Sequence, residues 1–226
     1  MELITLGTSC MMPTKERNPS TVYLEFAGVG ILFDCGEGTQ KAMSQCGIKK
    51  PNVRYIFLSH FHGDHVGGLL PLIQSIGNEA ENPILEIHGP TGLKNRMKGA
   101  FEFIDLDVKI DLRLFEHDLE NKKIIVDTEN FIIQAANLEH STPCLGYSFI
   151  EKDRRRVNKP YLAKLNIPDG PHLKDLTEGK SITYEGKKID MEKATYLVSG
   201  KKITYITDTL LCNNCMKLAQ DSDILI

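Results

Sequence analysis

Apolar residues come in short bursts along this chain, and their spacing switches between a period of two and a helical period. Glu2 to Leu6 alternates polar and apolar residues and reads as a strand that Gly7-Thr8-Ser9-Cys10 ends. Thr21 to Phe26 and Gly30 to Asp34 read as a hairpin turned at Ala27-Gly28-Val29-Gly30. The second of these strands runs into Asp34-Cys35-Gly36-Glu37-Gly38-Thr39, where Thr39 is placed to cap a helix ending near Gly47. Val53 to Leu58 is a continuous apolar and β-branched run, the pattern of a buried strand, and Val66 onward reads as a helix to about Gly77. A strand over Ile84 to His88 and a helix opened by Pro90 follow. Val108 to Glu116, Phe131 to Leu138 and Lys202 to Thr207 are further strands, Leu210 to Ala219 is helical, and Asp223 to Ile226 reads as part of a buried strand.

Between the buried strand and the helix lies Ser59 to Gly68, which packs His60, His62, Asp64 and His65 into six residues. Loops that leave strand ends are where a rigid scaffold carries chemistry. Neutral imidazoles with a carboxylate suit a borderline-soft divalent metal, zinc first, because each offers a lone pair without the repulsion of packed carboxylates. His60 and His62 are two apart and fall on one side of an extended segment, able to grip one ion. Beyond the bend at Gly63, Asp64 and His65 point elsewhere, which favours a second ion; two metals about 3.5–4 Å apart clamp both oxygens of a phosphoryl displacement. The plainer reading, a set of capping and core polar groups, leaves several buried polar atoms hard to satisfy without a cation.

Composition narrows the class. The chain has 226 residues, 41% hydrophobic and 25% charged, enough for one substantial core. It contains no apolar run of membrane-spanning length, and its first residues lack the basic and apolar regions of a signal peptide. Cysteines at 10, 35, 46, 144, 212 and 215 then point to reduced thiols and a cytoplasmic protein. Cys212-Asn213-Asn214-Cys215 has redox or zinc spacing but no second pair, and is read as helix packing. The formal charge of −3 hides an asymmetry, since Glu151 to Lys202 carries 13 Lys and Arg against 8 Asp and Glu. By composition alone its basic run, Lys152 to Lys159 with Arg154, Arg155 and Arg156, is a solvated face, and an anion-binding patch is the alternative.

Four further places carry candidate chemistry. His140 follows the strand ending at Leu138 and becomes the leading third nitrogen ligand only because the first cluster needs one. Asp208 ends the strand from Lys202, where it is either a helix cap or a carboxylate shared between two metals. Asp34 is either a turn carboxylate or the group that orients a metal-bound histidine. Lys15 and Arg17 sit in a loop with two prolines, equally a solvated connection or a phosphate contact. His88 is read as structural, and His117 and His172 receive no role.

His60-x-His62-x-Asp64-His65 is the motif of the metallo-β-lactamase superfamily, and its surroundings resemble the tRNase Z (ribonuclease Z) branch, the endonucleases that trim tRNA 3′ ends. Pro13-Thr14-Lys15-Glu16-Arg17-Asn18 and the Gly146-Tyr147 pair after His140 match it as well. The resemblance implies an α/β fold, a four-layer αββα sandwich, over residues 1–226, with 152–193 as an inserted basic, flexible tRNA-binding arm. It implies His60, His62, His140 and Asp208 at one zinc and Asp64, His65 and the bridging Asp208 at a second, with manganese as a substitute. The family supplies a further ligand and the sandwich's last edge from a segment beyond the position of Ile226, so the second site is expected to be incomplete within these residues. Asp34 is expected to orient a ligand, Asp64 to position or accept the proton of the attacking water, and Lys15 and Arg17 to contact phosphates. Arg154, Arg155 and Arg156 are expected to hold the tRNA backbone by charge; the few aromatics among them argue against base stacking. The implied substrate is precursor tRNA, handled by a homodimer in which one subunit's arm presents it to the other's metals. Alternatives are a thioesterase or phosphodiesterase on the same fold, or a catalytically incomplete tRNA-binding chain.

Overall fold

The alternation on the first strands divides their side chains between two cores. A computed structural model describes residues 1–106 and 109–226. Strands β1 (Glu2–Gly7), β2 (Thr21–Phe26), β3 (Val29–Phe33), β4 (Val53–Phe57), β5 (Ile84–Pro90) and β6 (Asp111–His117) form one sheet in that order. The expected start of β6 at Val108 lies outside the described residues. The first three strands are antiparallel and β3 to β6 parallel, so each later step needs a crossover. Helix α1 (Thr39–Gln45), the pair α2 (Gly63–Val66) and α3 (Leu69–Glu79), and α4 (Leu93–Phe103) supply them. Leu32, Ile56 and Ile87 face these helices, packing with Met43, Leu72, Ile73 and Ile76. Their neighbours in sequence, Ile31, Phe33 and Phe57, face the other way.

That other face meets a second sheet. Its strands β7 (Lys123–Asp127), β8 (Phe131–Leu138) and β9 (Cys144–Glu151) are antiparallel. The chain then leaves the sandwich through β10 (Arg154–Val157), α5 (Lys159–Lys164), α6 (Lys174–Thr177), β11 (Ile182–Tyr184), β12 (Lys187–Ile189), α7 (Met191–Ala194) and β13 (Thr195–Val198). It re-enters as β14 (Lys202–Tyr205), beside β9, and ends with α8 (Asn213–Ala219) and β15 (Ile224–Leu225). Phe26, Phe33, Phe57, Phe131, Tyr147, Phe149 and Tyr205 fill the space between the sheets, with ring centres such as Phe57–Tyr147 5.2 Å apart. Leu218 and Cys215 of α8 cover the outer side of the second sheet against Ala136 and Cys144. The layers are therefore helix, sheet, sheet, helix. The excursion between β9 and β14 has its own small core of Leu162, Leu173, Leu176, Ile189 and Ala194, held to its base by the antiparallel β10–β13 ladder.

Several local expectations change. Thr39 is the first helical residue rather than the cap; Gly38 at φ 83° takes that place, and the Thr39 hydroxyl donates to Gly36 O at 2.7 Å. The helix after the histidines is broken at Gly67-Gly68, where the Gly68 N–H donates to Cys35 O at 2.9 Å; the approach is so close that a Cβ on Gly68 would lie 2.1 Å from the Gly36 carbonyl oxygen. Pro90 does not open a helix: β5 runs through it and Gly92, at φ 100°, turns the chain into α4. The Asp223–Ile226 segment is not a buried strand. It lies at the sheet edge, parallel to β14, with Ile224 and Leu225 43% and 59% exposed. Strand β9 went unread because it is buried on both faces and shows no alternation.

His88 sits in β5 with its ring 4.9 Å from Phe57 and 4.7 Å from Phe115. Its Nδ1 is 3.0 Å from His117 Nε2, and its Nε2 is buried without a hydrogen-bond partner. Burial first, and then His117, pushes its pKa from 6.5 down to about 3. The unfolded chain takes up a proton that the folded one refuses, so this contribution to stability is complete above pH 6.5 and is lost progressively as pH falls toward 3. Urea midpoints measured over that range should fall with pH, and His88→Gln should flatten the fall; an equally steep slope in the variant would show that His88 is not its source.

Candidate metal centre

The ends of β3, β4, β8 and β14 point the same way, and their loops converge. β4 delivers His60 and His62, β8 delivers His140 and β14 delivers Asp208. One ligand-capable atom from each of these four residues lies within 4.8 Å of every other. His60 Nε2 is 2.9 Å from His62 Nδ1, and His140 Nε2 is 3.5 Å from the same atom. Asp208 Oδ2 stands 3.6 Å from His60 Nε2 and 3.6 Å from His65 Nε2, and Asp64 Oδ2 is also 3.6 Å from His65 Nε2. Asp208 thus faces two groups, His60-His62-His140 on one side and His65-Asp64 on the other. Its backbone, at φ 39°, takes a left-handed turn that a non-glycine residue rarely adopts.

Asp34 lies behind this cluster and fixes its orientation. Fully buried at the end of β3 with φ 57°, it accepts four hydrogen bonds. Ser59 N–H donates to Oδ1 at 2.6 Å; Ser59 Oγ, Tyr205 OH and His65 Nδ1 reach Oδ2 at 2.8, 2.7 and 2.6 Å. With the His65 proton on Nδ1 shared with Asp34, Nε2 presents its lone pair toward Asp64 and Asp208. Burial alone would lower the His65 pKa, but the hydrogen bond and charge of Asp34 outweigh it and hold the ring above its ordinary value. The carboxylates that draw a proton to Nε2 would draw a divalent cation to the same place. His60 behaves oppositely: burial, then the charge of His65, pushes it down to about 4, leaving a neutral imidazole at neutral pH.

Asp64 is held from the other side. Met11 N–H donates to its Oδ2 at 2.8 Å, and Met11 itself has φ 60°. Burial would raise the Asp64 pKa; the Met11 N–H and the nearby His65 lower it on balance, so the carboxylate stays ionised. A cavity of about 740 Å³ opens over the cluster, lined by Cys10, Met11, Glu37, His62, Asp64, His140 and Asp208. The donor set of three imidazole nitrogens and a shared carboxylate fits a borderline divalent ion, and His65 with Asp64 begins a second place beside it.

The structure therefore brings His60, His62, Asp64, His65, His140, Asp208 and Asp34 together. Lys15 and Arg17 are exposed on the loop that starts at Met11, in a turn closed by Thr14 N–H to Arg17 O at 2.8 Å. Neither belongs to an ion pair among the described residues. Arg154, Arg155 and Arg156 lie away from the cluster on β10 and do not share a face. Arg154 and Arg156 are exposed, whereas Arg155 is half-buried and donates to Thr195 Oγ1 at 3.3 Å. Ser59, Tyr205 and the Met11 backbone were not read from sequence as parts of the site; only Ser59, adjoining His60, carried a usable signal.

Two sheets face to face between helices, with a histidine and carboxylate cluster at their strand ends, define a metallohydrolase of the metallo-β-lactamase fold. The solved structure of human tRNase Z, short form, matches with a TM-score of 0.69 and 25% identity over 100% of this chain and 76% of that one. The metallo-β-lactamase fold protein YhfI from Bacillus subtilis matches in fold, at 0.62 and 14% identity, over 99% of this chain and 68% of that one. Ribonuclease Z of Nanoarchaeum equitans (strain Kin4-M) is 40% identical over 220 residues, 97% of this chain and 68% of its own length. That of Picosynechococcus sp. is 36% identical over 231 residues, 100% and 72%. The profile of a family described as Anti-Pycsar protein Apyc1 matches residues 1–91, less than half of the chain. The chain belongs to the ribonuclease Z family, metal-dependent endoribonucleases of tRNA 3′ processing.

Because Asp34 orients His65 and ties it to Ser59, Asp34→Asn should weaken Zn²⁺ binding about 10- to 100-fold in a chelator competition. Tyr205→Phe, which removes one of the four bonds, should weaken it less. Unchanged zinc affinity in a folded Asp34→Asn chain would contradict the assignment.

Proposed function

We propose that this cluster is the hydrolytic centre at which the chain cuts precursor tRNA, releasing a 3′ trailer and leaving a 3′-hydroxyl on the tRNA. The observation that carries the reading is the set of three imidazoles and a carboxylate within 4.8 Å, at the strand ends of a chain 40% identical to a ribonuclease Z. Zinc is the proposed ion, with manganese a substitute; His60, His62, His140 and Asp208 hold one, and Asp64, His65 and Asp208 contribute to a second. Ions held there supply Lewis acidity and make water acidic enough to attack near neutral pH.

The chain's own groups do the rest. Asp64, ionised and pinned by Met11 N–H at 2.8 Å, orients the attacking water and accepts its proton. Asp34 keeps His65 in one tautomer and one orientation. Lys15 and Arg17, beginning a few residues from the Asp64 contact, bind the phosphates that flank the scissile bond. Residues 152–193 form the arm that binds tRNA away from the centre, with Arg154 and Arg156 toward the backbone and Arg155 supporting the strand. A homodimer lets one subunit's arm present tRNA to the other's metals. Cysteines without disulfide partners fit a reducing compartment, the cytoplasm; no described helix is long and apolar enough to cross a membrane.

The test is cleavage of a 3′-extended precursor tRNA with added Zn²⁺ or Mn²⁺ beside a His62→Ala control. Cutting next to the discriminator base that disappears in the variant is the expected result; tight tRNA binding without cutting, or turnover of a thioester in its place, overturns the proposal. Replacing Arg154 and Arg156 with alanine should leave cleavage at saturation intact while weakening binding. The slope of log K against log salt should shrink by about 0.9 for each duplex phosphate that is no longer neutralised. An unchanged slope would remove these two residues from the tRNA path.

A further inference from the structure

Just past Asp208 and Thr209 the chain runs through Cys212-Asn213-Asn214-Cys215. The three-residue spacing puts both thiols on one side of the chain as it enters α8, and their sulfurs are 3.2 Å apart. Both are largely buried, Cys212 at 9% exposure and Cys215 at 6%. Burial opposes ionisation of Cys212, yet hydrogen bonds from the Cys215 backbone and thiol outweigh it and hold the thiol below its ordinary pKa. Cys215 shows the reverse, raised by burial and by its neighbour.

The pair touches the segment that follows Asp208, at Thr209 and Leu210. Cys215 Sγ lies 3.7 Å from Thr209 Oγ1 and 3.6 Å from the Leu210 carbonyl oxygen. Thr209 Oγ1 accepts the N–H of Glu139 at 3.1 Å and donates to Leu210 O at 2.8 Å. Leu210 N–H donates to Glu139 O at 2.8 Å, closing a bridge between the two segments. Glu139 precedes His140 and Thr209 follows Asp208, so the clamp that sets the spacing of these two ligands includes the group the thiol contacts.

We infer that Cys212 and Cys215 are a reversible oxidation site, a dithiol that exchanges with low-molecular-weight disulfides and whose state sets the metal affinity of the centre beside it. The coupling, though not the disulfide itself, rests on the metal reading of His140 and Asp208. In the first step Cys212, as thiolate, attacks one sulfur of a disulfide RSSR; the RS–SR bond breaks, and the departing RS⁻ takes up the proton that Cys212 released. Cys215 then loses its proton and attacks the Cys212 sulfur of the mixed disulfide, expelling a second RS⁻, which is protonated in turn. Two protein thiols are oxidised by two electrons and one small disulfide is reduced to two thiols. The sulfurs close from 3.2 Å to about 2.05 Å, and Cys215 gives up the one thiol proton that it shares between the Cys212 sulfur and Leu210 O. The clamp between Glu139 and Thr209 loosens, and His140 and Asp208 lose their set spacing.

The test uses the intact chain equilibrated in mixtures of reduced and oxidised glutathione, then quenched and alkylated. Mass spectrometry reads the peptide carrying both cysteines, and a chelator competition on the same samples reads Zn²⁺ affinity. The expected result is a Cys212–Cys215 disulfide that dithiothreitol reverses, with zinc bound about 10-fold more weakly in the oxidised chain. Cys215→Ser and, separately, Cys212→Ala, each checked for folding by circular dichroism, should bind zinc equally in both buffers. Both thiols remaining alkylatable across the whole series overturns the proposal, and so does a disulfide that leaves zinc affinity unchanged. A fully reduced chain that binds no zinc also overturns it, and is recognisable as failure of the metal reading because the disulfide is scored independently.

Discussion

The buried carboxylate of Asp34 joins parts of the chain that are far apart in sequence. It sits where β3 ends, and it is reached by Ser59 from the end of β4, by His65 from α2 and by Tyr205 from β14. Those contacts span both sheets, so the packing of the sandwich and the aim of the histidines are one constraint. A carboxylate with no exposed surface is tolerated only if its charge is met by donors. Four bonds meet it here, and leaving any of the donors unmatched would set a buried polar group adrift. The strain of φ 57° at Asp34 is held by the same network, since the N–H of Asp34 donates to Phe57 O at 2.9 Å and keeps the loop against β4.

Much of this was legible in the sequence because it is local. The cluster from His60 to His65 is six residues long, and its place between a strand and a helix followed from periodicity alone. His140 and Asp208 were legible only as residues at strand ends that a metal site would recruit, and the resemblance to the family supplied the rest. What escaped has a common cause. Ser59, Tyr205 and the Met11 N–H act through long-range contacts, 25, 171 and 53 residues from their partners, and no spacing rule covers such distances. Strand β9 escaped for a different reason: Cys144 to Phe149 is buried on both faces, so the alternation that marks a half-exposed strand is missing. Pro90 misled because a proline near Gly89 suits a helix start, while Gly92, with its left-handed backbone, makes the turn.

The metal cluster and the arm rest on different physics. Behind the cluster, Asp34 and His65 are buried and paired through a 2.6 Å hydrogen bond, where the dielectric is low and salt has little effect. On the arm, Arg154 is 53% exposed and, among the described residues, pairs only with Glu151 at 3.7 Å, a contact of little energetic weight by itself. Exposed cations of that kind remain available to phosphates, and their attraction falls with ionic strength. The arm's separate core lets it keep this basic surface without drawing on the sandwich for stability. Under the proposed function, binding through the arm and cutting at the centre respond differently to salt.

The loop from Gly7 to Pro19 carries exposed cations close to the cluster itself. Ser9 N–H donates to Asn18 O at 2.9 Å, which closes the loop on itself, and Met11 N–H reaches across to Asp64. Lys15 and Arg17 stand on the closed loop, exposed, with the turn between them and Thr14 fixed by backbone and hydroxyl bonds. A phosphate drawn to Lys15 or Arg17 is thus drawn to a segment whose other end fixes the position of the proposed base. A loop that composition alone would assign to solvent thus has its backbone held at the edge of the cavity.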